Sequence, residues 1–336
     1  MIQQVQQAVF DPERFLVDIE ETCRAIGAPY SQEKTLKVLE GFQASFARGA
    51  VLWRITNRPG DALNYRFYER VSIDAVSCAV EAKLFQPNHP LSELIVSWTA
   101  LYPGAAQQSC DFDAEQGFSK IWVYLGDMRP LSDILSAPHV PLSIRKHATT
   151  FYNLGLELVR HVAADFTSNT INIYFRVQGL LTLERARSLV RLSDPAYLLE
   201  CGEVEEMRRL LNPVGFTFAV TMDYSTGDIK RVGIYALKLA PGTYPAMDER
   251  LKATRAIPLE KQAYILLSQG VLMAKEVAAA FPVPSETAAV NRPREVDVEV
   301  GVGVASFMFQ PTTPIAPTVD VRDNVVVAVF HAVESP

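Results

Sequence analysis

The chain has 336 residues, enough for one large domain or two ordinary ones, and its 49 % hydrophobic content supports a substantial core. A formal net charge of −6 gives no global attraction to nucleic acid, so anion binding has to come from local basic groups. No apolar run reaches membrane-spanning length, and the start, MIQQVQQAVFDPERF, lacks the basic segment and apolar stretch of a secretion signal. Cys23, Cys78, Cys110 and Cys201 are far apart and form no short-spaced metal pair. Ordinary thiols in a reducing cytosol suit that spacing, and a cytoplasmic location is expected.

In chain order, Asp11-Pro12-Glu13 reads as a helix entry, a capping carboxylate followed by proline in the first turn. Phe15, Leu16, Ile19, Cys23 and Ile26 supply the apolar stripe that follows, and Gly27 closes it. Ser31 caps a second helix carrying Leu36, Leu39, Phe42 and Phe46. Val51 to Arg70, VLWRITNRPGDALNYRFYER, then reads as two alternating strands joined at Arg58-Pro59-Gly60-Asp61. Leu52, Arg54 and Thr56 share one side of the first strand, and Asn64, Arg66, Tyr68 and Arg70 one side of the second. The opposite side carries Val51, Trp53, Ile55, Tyr65 and Phe67, apolar bulk suited to packing against helices. Helices are predicted from Ser72 to Leu84 and from Pro90 to Tyr102.

The order helix, strand, strand, helix repeats. Cys110–Phe112 is a short strand and Phe118–Leu125 a longer one, with Phe118, Lys120, Trp122 and Tyr124 on one side. A single helix is predicted from Leu142 to about His161, its stripe being Phe151, Leu154, Leu158 and Val162. Thr170–Arg176 is the next strand and groups Asn172, Tyr174 and Arg176. Helical segments over Thr182–Leu192 and Pro195–Leu211 lead to a hairpin of Phe216–Tyr224 and Lys230–Leu239, in which Arg231, Gly233 and Tyr235 share a face.

These short connections call for antiparallel pairing. A sheet covered on both faces would be apolar on both, whereas here one face is repeatedly polar and aromatic. The predicted fold is therefore α+β, an antiparallel barrel with helices outside and a polar, solvent-filled lumen. Residues 1–282 are read as one barrel domain, because no Gly/Ser-rich linker interrupts them. Residues 283–336 form an atypical extension with strand-like stretches at Val296–Phe309 and from Asn324, open to reading as a mouth cover, an appendage or a variant terminus.

Arg54, Arg66, Lys120, Asn172, Tyr174, Arg231 and Tyr235 make up the polar constellation. Cations enclosed by a sheet need an anion, and a diphosphate suits arginine forks, a mobile lysine and tyrosine hydroxyls. Scattered surface groups, or internal pairs with Glu69 and Asp223, are the other reading of the same residues. Tyr68, Trp122, Tyr174 and Tyr235 add aromatic faces able to shield a flat substrate or an allylic cation.

The segments VLWRITNRPGDALNYRFYER, DFDAEQGFSKIWVYLGDMRP, VRHVAADF, NIYFR and DYSTGDIKRVGIYALK carry a family resemblance. Over roughly residues 8–262 the chain resembles the soluble aromatic prenyltransferases of the ABBA, or PT-barrel, fold, and among them the CloQ/NovQ-like branch. The resemblance implies a ten-stranded antiparallel barrel and transfer of a prenyl group, commonly dimethylallyl, from its diphosphate to an electron-rich aromatic carbon. By position it puts Arg54, Arg66, Lys120, Arg160, Asn172, Tyr174, Arg231 and Tyr235 around the donor diphosphate, Lys120 and Tyr174 also acting in catalysis. Arg66 stands where some members place a magnesium-binding acid, so no cofactor and no magnesium requirement are expected.

On the acceptor side the resemblance suggests Tyr68, Trp122, Thr217 and Glu276, the last as a catalytic or orienting carboxylate. Glu276 rests on LMAKEV, Leu272–Val277, as a last barrel strand; the surrounding sequence equally suits a helix with Glu276 on its wet side. The expected partners are a prenyl diphosphate and a small aromatic acceptor. Nucleic acid and stable membrane association are not expected, and the chain is expected to be a monomer. A barrel that merely binds an anionic aromatic metabolite is the rival function.

Overall fold

The computed structural model describes residues 10–48, 50–54, 60–68, 73–239, 303–309 and 325–327. Helix α1 (Pro12–Ala25) begins where Asp11 accepts hydrogen bonds from the amides of Glu13 and Arg14, and the chain turns out of it at Gly27, at φ +62°. Ser31 caps α2 (Gln32–Gly41), and α3 (Gln43–Arg48) follows. Strands β1 (Ala50–Arg54) and β2 (Asn64–Tyr68) pair antiparallel, with Arg54 opposite Asn64 and Leu52 opposite Arg66. The predicted alternation holds. Tyr65 and Phe67 are buried against the helices, their rings 5.6 Å from Phe15 and 5.5 Å from Phe46. Asn64 and Arg66 therefore face the other way.

Asp74 and His89 cap α4 (Ala75–Glu81) and α5 (Pro90–Ala100). Strands β3 (Gln107–Asp113) and β4 (Gly117–Pro130) come next, then the short helices α6 (Leu131–Ser136), α7 (Leu142–Arg145) and α8 (Ala148–Asn153). The single helix predicted from Leu142 to His161 is not what forms. The chain leaves α8 through Gly155, at φ +70°, and Leu158–Asp165 is strand β5. Phe151, Leu154, Leu158 and Val162 fit a helical period, but the backbone from Leu158 onward pairs with strands on both sides. A ladder on each flank outweighs a local pattern of that length.

The remaining elements are β6 (Thr170–Gln178), α9 (Leu183–Val190), α10 (Cys201–Leu210), β7 (Gly215–Asp223), β8 (Ile229–Leu239), β9 (Gly303–Phe309) and β10 (Val325–Val327). The turn between β7 and β8 is pinned to α7 by Gly227, at φ +75°. A Cβ there would lie 2.4 Å from the Ser143 carbonyl oxygen.

Hydrogen-bonded neighbours run β1-β2-β3-β4-β5-β6-β7-β8-β9-β10 in one antiparallel sheet. Seven of the strands form a curled antiparallel half-barrel with helices around it, consistent with the ABBA architecture. Extra residues in β4 and β5 break the register at Tyr124/Arg129 and Val159/His161, and such bulges bend strands. One face of these strands, with Ile121, Val123, Val162, Ile173, Phe175, Phe218, Val220 and Ile234, is fully buried against the helices in a continuous core. Each such side chain contributes roughly 1.5–3 kcal/mol relative to exposure, so the helices are held firmly on the outside. The concave face is left to polar and aromatic residues. Gly303–Phe309 joins the sheet beside β8, with Tyr235 opposite Ser306. The proposed boundary at residue 282, and Leu272–Val277 with Glu276, lie outside the described residues.

Candidate active site

Residues opposite one another in an antiparallel ladder point to the same face, so the register builds the site row by row. At one end Arg54 donates to Asn64 Oδ1, and Asn64 Nδ2 donates to Asp113 Oδ2 at 3.1 Å. In the next row Arg66 Nη2 donates to Asp111 Oδ2 at 2.8 Å, and Arg66 Nε lies 2.7 Å from Asp111 Oδ1. Asp111 stands opposite Lys120, and Lys120 opposite Asp165, its ammonium 3.5 Å from that carboxylate. Trp122, Ala163, Asn172, Thr221 and Arg231 follow. Thr221 Oγ1 donates to Asn172 Oδ1 at 2.9 Å, which turns the amide so that its NH2 end is left for another partner. Tyr124, His161, Tyr174, Ala219 and Gly233 form the row beyond, and Arg176, Thr217 and Tyr235 the next.

Trp122, Ala163, Tyr174, Ala219 and Tyr235 form a buried cluster of their own, separate from the main core. The Trp122 and Tyr174 rings lie 4.7 Å apart, and those of Tyr174 and Tyr235 5.7 Å. Arg66 and Lys120 sit over the Trp122 ring at 5.0 and 5.5 Å from its centroid, so the cationic and aromatic parts share an edge.

A cavity of about 530 Å³ opens at the charged end, lined among others by Arg54, Asn64, Asp111, Lys120, Asp165, Thr221 and Arg231. Its lining holds five acids and four bases by formal count, so what decides its chemistry is which groups are already satisfied. Asp111 is held by Arg66 and Asp165 by Lys120. Asp113 accepts from the amides of Glu115 and Gln116, both at 2.9 Å, and Asp223 from those of Ser225 and Thr226, both at 2.9 Å. Among the described residues, the buried Arg54 Nε, Trp122 Nε1, Asn172 Nδ2 and Arg231 Nε have no hydrogen-bond partner. All four are donors. On the same face Asp111 Oδ1 also makes no hydrogen bond, but it lies 2.7 Å from Arg66 Nε as an ion pair, so the open donors prevail and make a site for an anion.

Burial pushes the Arg66 and Lys120 pKa values down, opposed by Asp111 in the first case and by Asp165 and Asp111 in the second. Burial works to raise the Asp165 carboxyl, but Lys120 and hydrogen bonds from Ser168 outweigh it and hold the group below the usual range. Tyr174 and Tyr235 are both pushed up, first by burial, so they stay as hydroxyls that can donate.

Arg54, Arg66, Lys120, Trp122, Asn172, Tyr174, Arg231 and Tyr235 thus share one face, with Thr217 in the Tyr235 row. Arg160, read in the sequence as the end of a helix, is instead the extra residue of the β5 bulge, exposed, with its guanidinium 5.6 Å from the centre of the Tyr124 ring. Tyr68 is placed by its backbone opposite Ala50, and Glu276 lies outside the described residues. Asp165, Thr221 and His161 were not singled out in the sequence. Alternation of His161, Ala163 and Asp165 was the available signal, hidden by the helical reading of that stretch. Asp111 is the counter-ion of Arg66. Among the described residues no group of three His, Cys, Asp or Glu is placed to hold a metal ion, and no helix is long and apolar enough to cross a membrane.

A curled antiparallel sheet under helices, with anion-seeking donors and an aromatic wall on its concave face, defines a helix-covered half-barrel able to take an anionic group beside a flat aromatic one. The family model described as aromatic prenyltransferase Orf2 matches residues 10–264, and the chain belongs to that aromatic prenyltransferase family. It is 49 % identical over 248 residues to an aromatic prenyltransferase of Sclerotinia sclerotiorum, covering 72 % of this chain and 80 % of the relative. An aromatic prenyltransferase of Botryotinia fuckeliana is 48 % identical over 258 residues, covering 75 % and 83 %. The 4-hydroxyphenylpyruvate 3-dimethylallyltransferase of Streptomyces niveus is 41 % identical over 245 residues, covering 72 % and 74 %.

Proposed function

We propose that the chain transfers a dimethylallyl group from dimethylallyl diphosphate to an electron-rich carbon of a small aromatic acceptor, releasing diphosphate. The observation that carries this reading is the set of buried, unpartnered donors on Arg54, Trp122, Asn172 and Arg231 beside an aromatic cluster. The donor diphosphate takes the charged end, where Arg54, Arg66, Lys120, Asn172 and Arg231 stabilise the charge that grows as its carbon–oxygen bond breaks. Tyr174 and Tyr235 supply hydroxyls, and the rings of Trp122 and Tyr174 screen the allylic cation from water while the acceptor carbon attacks it. The arenium proton then leaves to diphosphate or water.

The reading includes closure of β1 and β10 into a ten-stranded barrel with a solvent-filled lumen, supported by the strand order and the curl of the seven-stranded half-barrel. It includes independence from magnesium, because Arg66, paired with Asp111, supplies positive charge where a bound metal would act in related enzymes. Tyr68, Thr217 and Glu276 belong to the acceptor end in this scheme, Arg160 to its border with the donor. The acceptor class is phenols and related electron-rich rings, as in the names of the Streptomyces niveus relative and of a 5,10-dihydrophenazine-1-carboxylate 9-dimethylallyltransferase of Streptomyces anulatus, 26 % identical over 223 residues. A monomer working in the cytoplasm completes the proposal.

The test is incubation with dimethylallyl diphosphate and a panel of phenols, naphthols and phenazines. A product gaining C5H8 with stoichiometric diphosphate release is expected. Ligand binding without diphosphate release across the whole panel would make the chain a binding barrel instead.

A further inference from the structure

His161 is the one histidine among the rows built above, and the proposed reaction scheme leaves it without a task. It stands between Tyr124 on β4 and Tyr174 on β6, its ring 5.1 Å from the first and 6.5 Å from the second. Tyr174 belongs to the inner aromatic cluster, so His161 is on the concave face too. The polar tips beside it are engaged: the Tyr124 hydroxyl donates to the Gly126 carbonyl oxygen at 2.8 Å, and the hydroxyls of Tyr174 and Tyr235 bond to each other. Among the described residues nothing hydrogen-bonds to the His161 ring.

The charged groups that act on it are Arg66 from β2 and Arg160 beside it on β5. Burial first, and then these two guanidiniums, push its pKa down to about 3, so the imidazole is neutral at physiological pH. A neutral imidazole has one bare nitrogen. That matters on a face whose open groups are mostly N–H donors and whose buried carboxylates are committed to Arg66 and Lys120. A diphosphate uses the donors, whereas a phenol needs an acceptor for its O–H.

We infer that His161 sets acceptor specificity, its bare ring nitrogen taking the hydrogen bond of a phenolic hydroxyl and holding the ring against Tyr124 and Tyr174. The inference rests on the prenyl-transfer reading. It adds that an acceptor with a hydroxyl is selected over the same ring without one, since the half-buried imidazole facing a methyl ether loses its partner. The hydrogen bond also draws the O–H electrons toward the ring, which favours attack at the carbons ortho and para to the oxygen.

The experiment compares 1-naphthol with 1-methoxynaphthalene on the full chain, by turnover with dimethylallyl diphosphate and by Trp fluorescence titration of binding. The unaltered protein is expected to favour the naphthol in both. His161→Met, similar in volume but lacking the nitrogen acceptor, should reduce that preference about tenfold or more, leaving the KM for the donor within about twofold. His161→Gln, whose amide oxygen accepts a hydrogen bond, should recover part of it, and it carries the same comparison should His161→Met fold poorly. An unchanged naphthol preference in both variants would overturn the inference. Binding that discriminates through His161 without any turnover would uphold this contact and instead sink the prenyl-transfer reading.

Discussion

Arg66 and Asp111 meet across β2 and β3 at two points, 2.7 and 2.8 Å, in the middle of the concave face. Asp111 is only 4 % exposed, so neither charge is solvated on its own terms. Such a pair adds little net stability compared with apolar residues, but removing one member leaves a buried charge uncompensated. Its use is to hold a guanidinium, still charged, against the Trp122 ring. Arg66→Ala is therefore expected to destabilise the protein by about 3–5 kcal/mol, and Arg66→Leu with Asp111→Leu by much less. Urea denaturation measures both. Donor affinity should fall in the single and the double variant alike; if the double variant binds donor normally, Arg66 is structural only.

Thr221 orients Asn172 through a 2.9 Å hydrogen bond, and the Asn172 NH2 group is one of the unmet donors. Thr221→Val keeps the shape and removes the O–H, releasing the amide to flip. We expect the KM for the prenyl diphosphate to rise about fivefold, the equivalent of about 1 kcal/mol, with kcat changed less. Steady-state kinetics at saturating acceptor give the split. An effect confined to the KM of the acceptor would contradict the placement of Asn172 at the diphosphate.

Metal dependence tests the source of positive charge. With Arg66, Lys120 and Arg231 as the counter-charges, turnover should persist after exhaustive EDTA treatment and gain little from added magnesium. Loss of activity in EDTA that magnesium restores would show that the side chains do not suffice.

The folded-state pKa of His161, about 3, lies below its ordinary value of 6.5. Between these values the unfolded chain holds more protons than the folded one, so stability falls as pH is lowered from about 6.5 toward about 3. His161→Met removes that contribution. Melting temperatures from pH 7 to pH 4 should converge on, or cross, those of the unaltered protein as acid is added. A constant offset across the range would mean that His161 titrates normally in the folded state.

Much of this was legible locally. Asp11 and Ser31 announce their helices because capping depends on residues within one turn. Alternation separates Asn64 and Arg66 from Tyr65 and Phe67 because a strand has a period of two, whatever it pairs with. The cations of the site and the family resemblance could likewise be read from residue types in order along the chain.

What tertiary structure decided is the set of relations that strand register creates. Leu158–Asp165 carries a helix-compatible stripe and becomes a strand only because β4 and β6 take up its amides and carbonyls from both sides. That pairing turns His161 and Asp165 toward the concave face. Asp111 meets Arg66 at a sequence separation of 45, and Thr221 meets Asn172 at a separation of 49. Those pairings determine which carboxylates are satisfied and which donors remain open. They depend on hydrogen-bonded ladders between distant segments, and a one-residue slip in any of them would turn the same side chains to the opposite face.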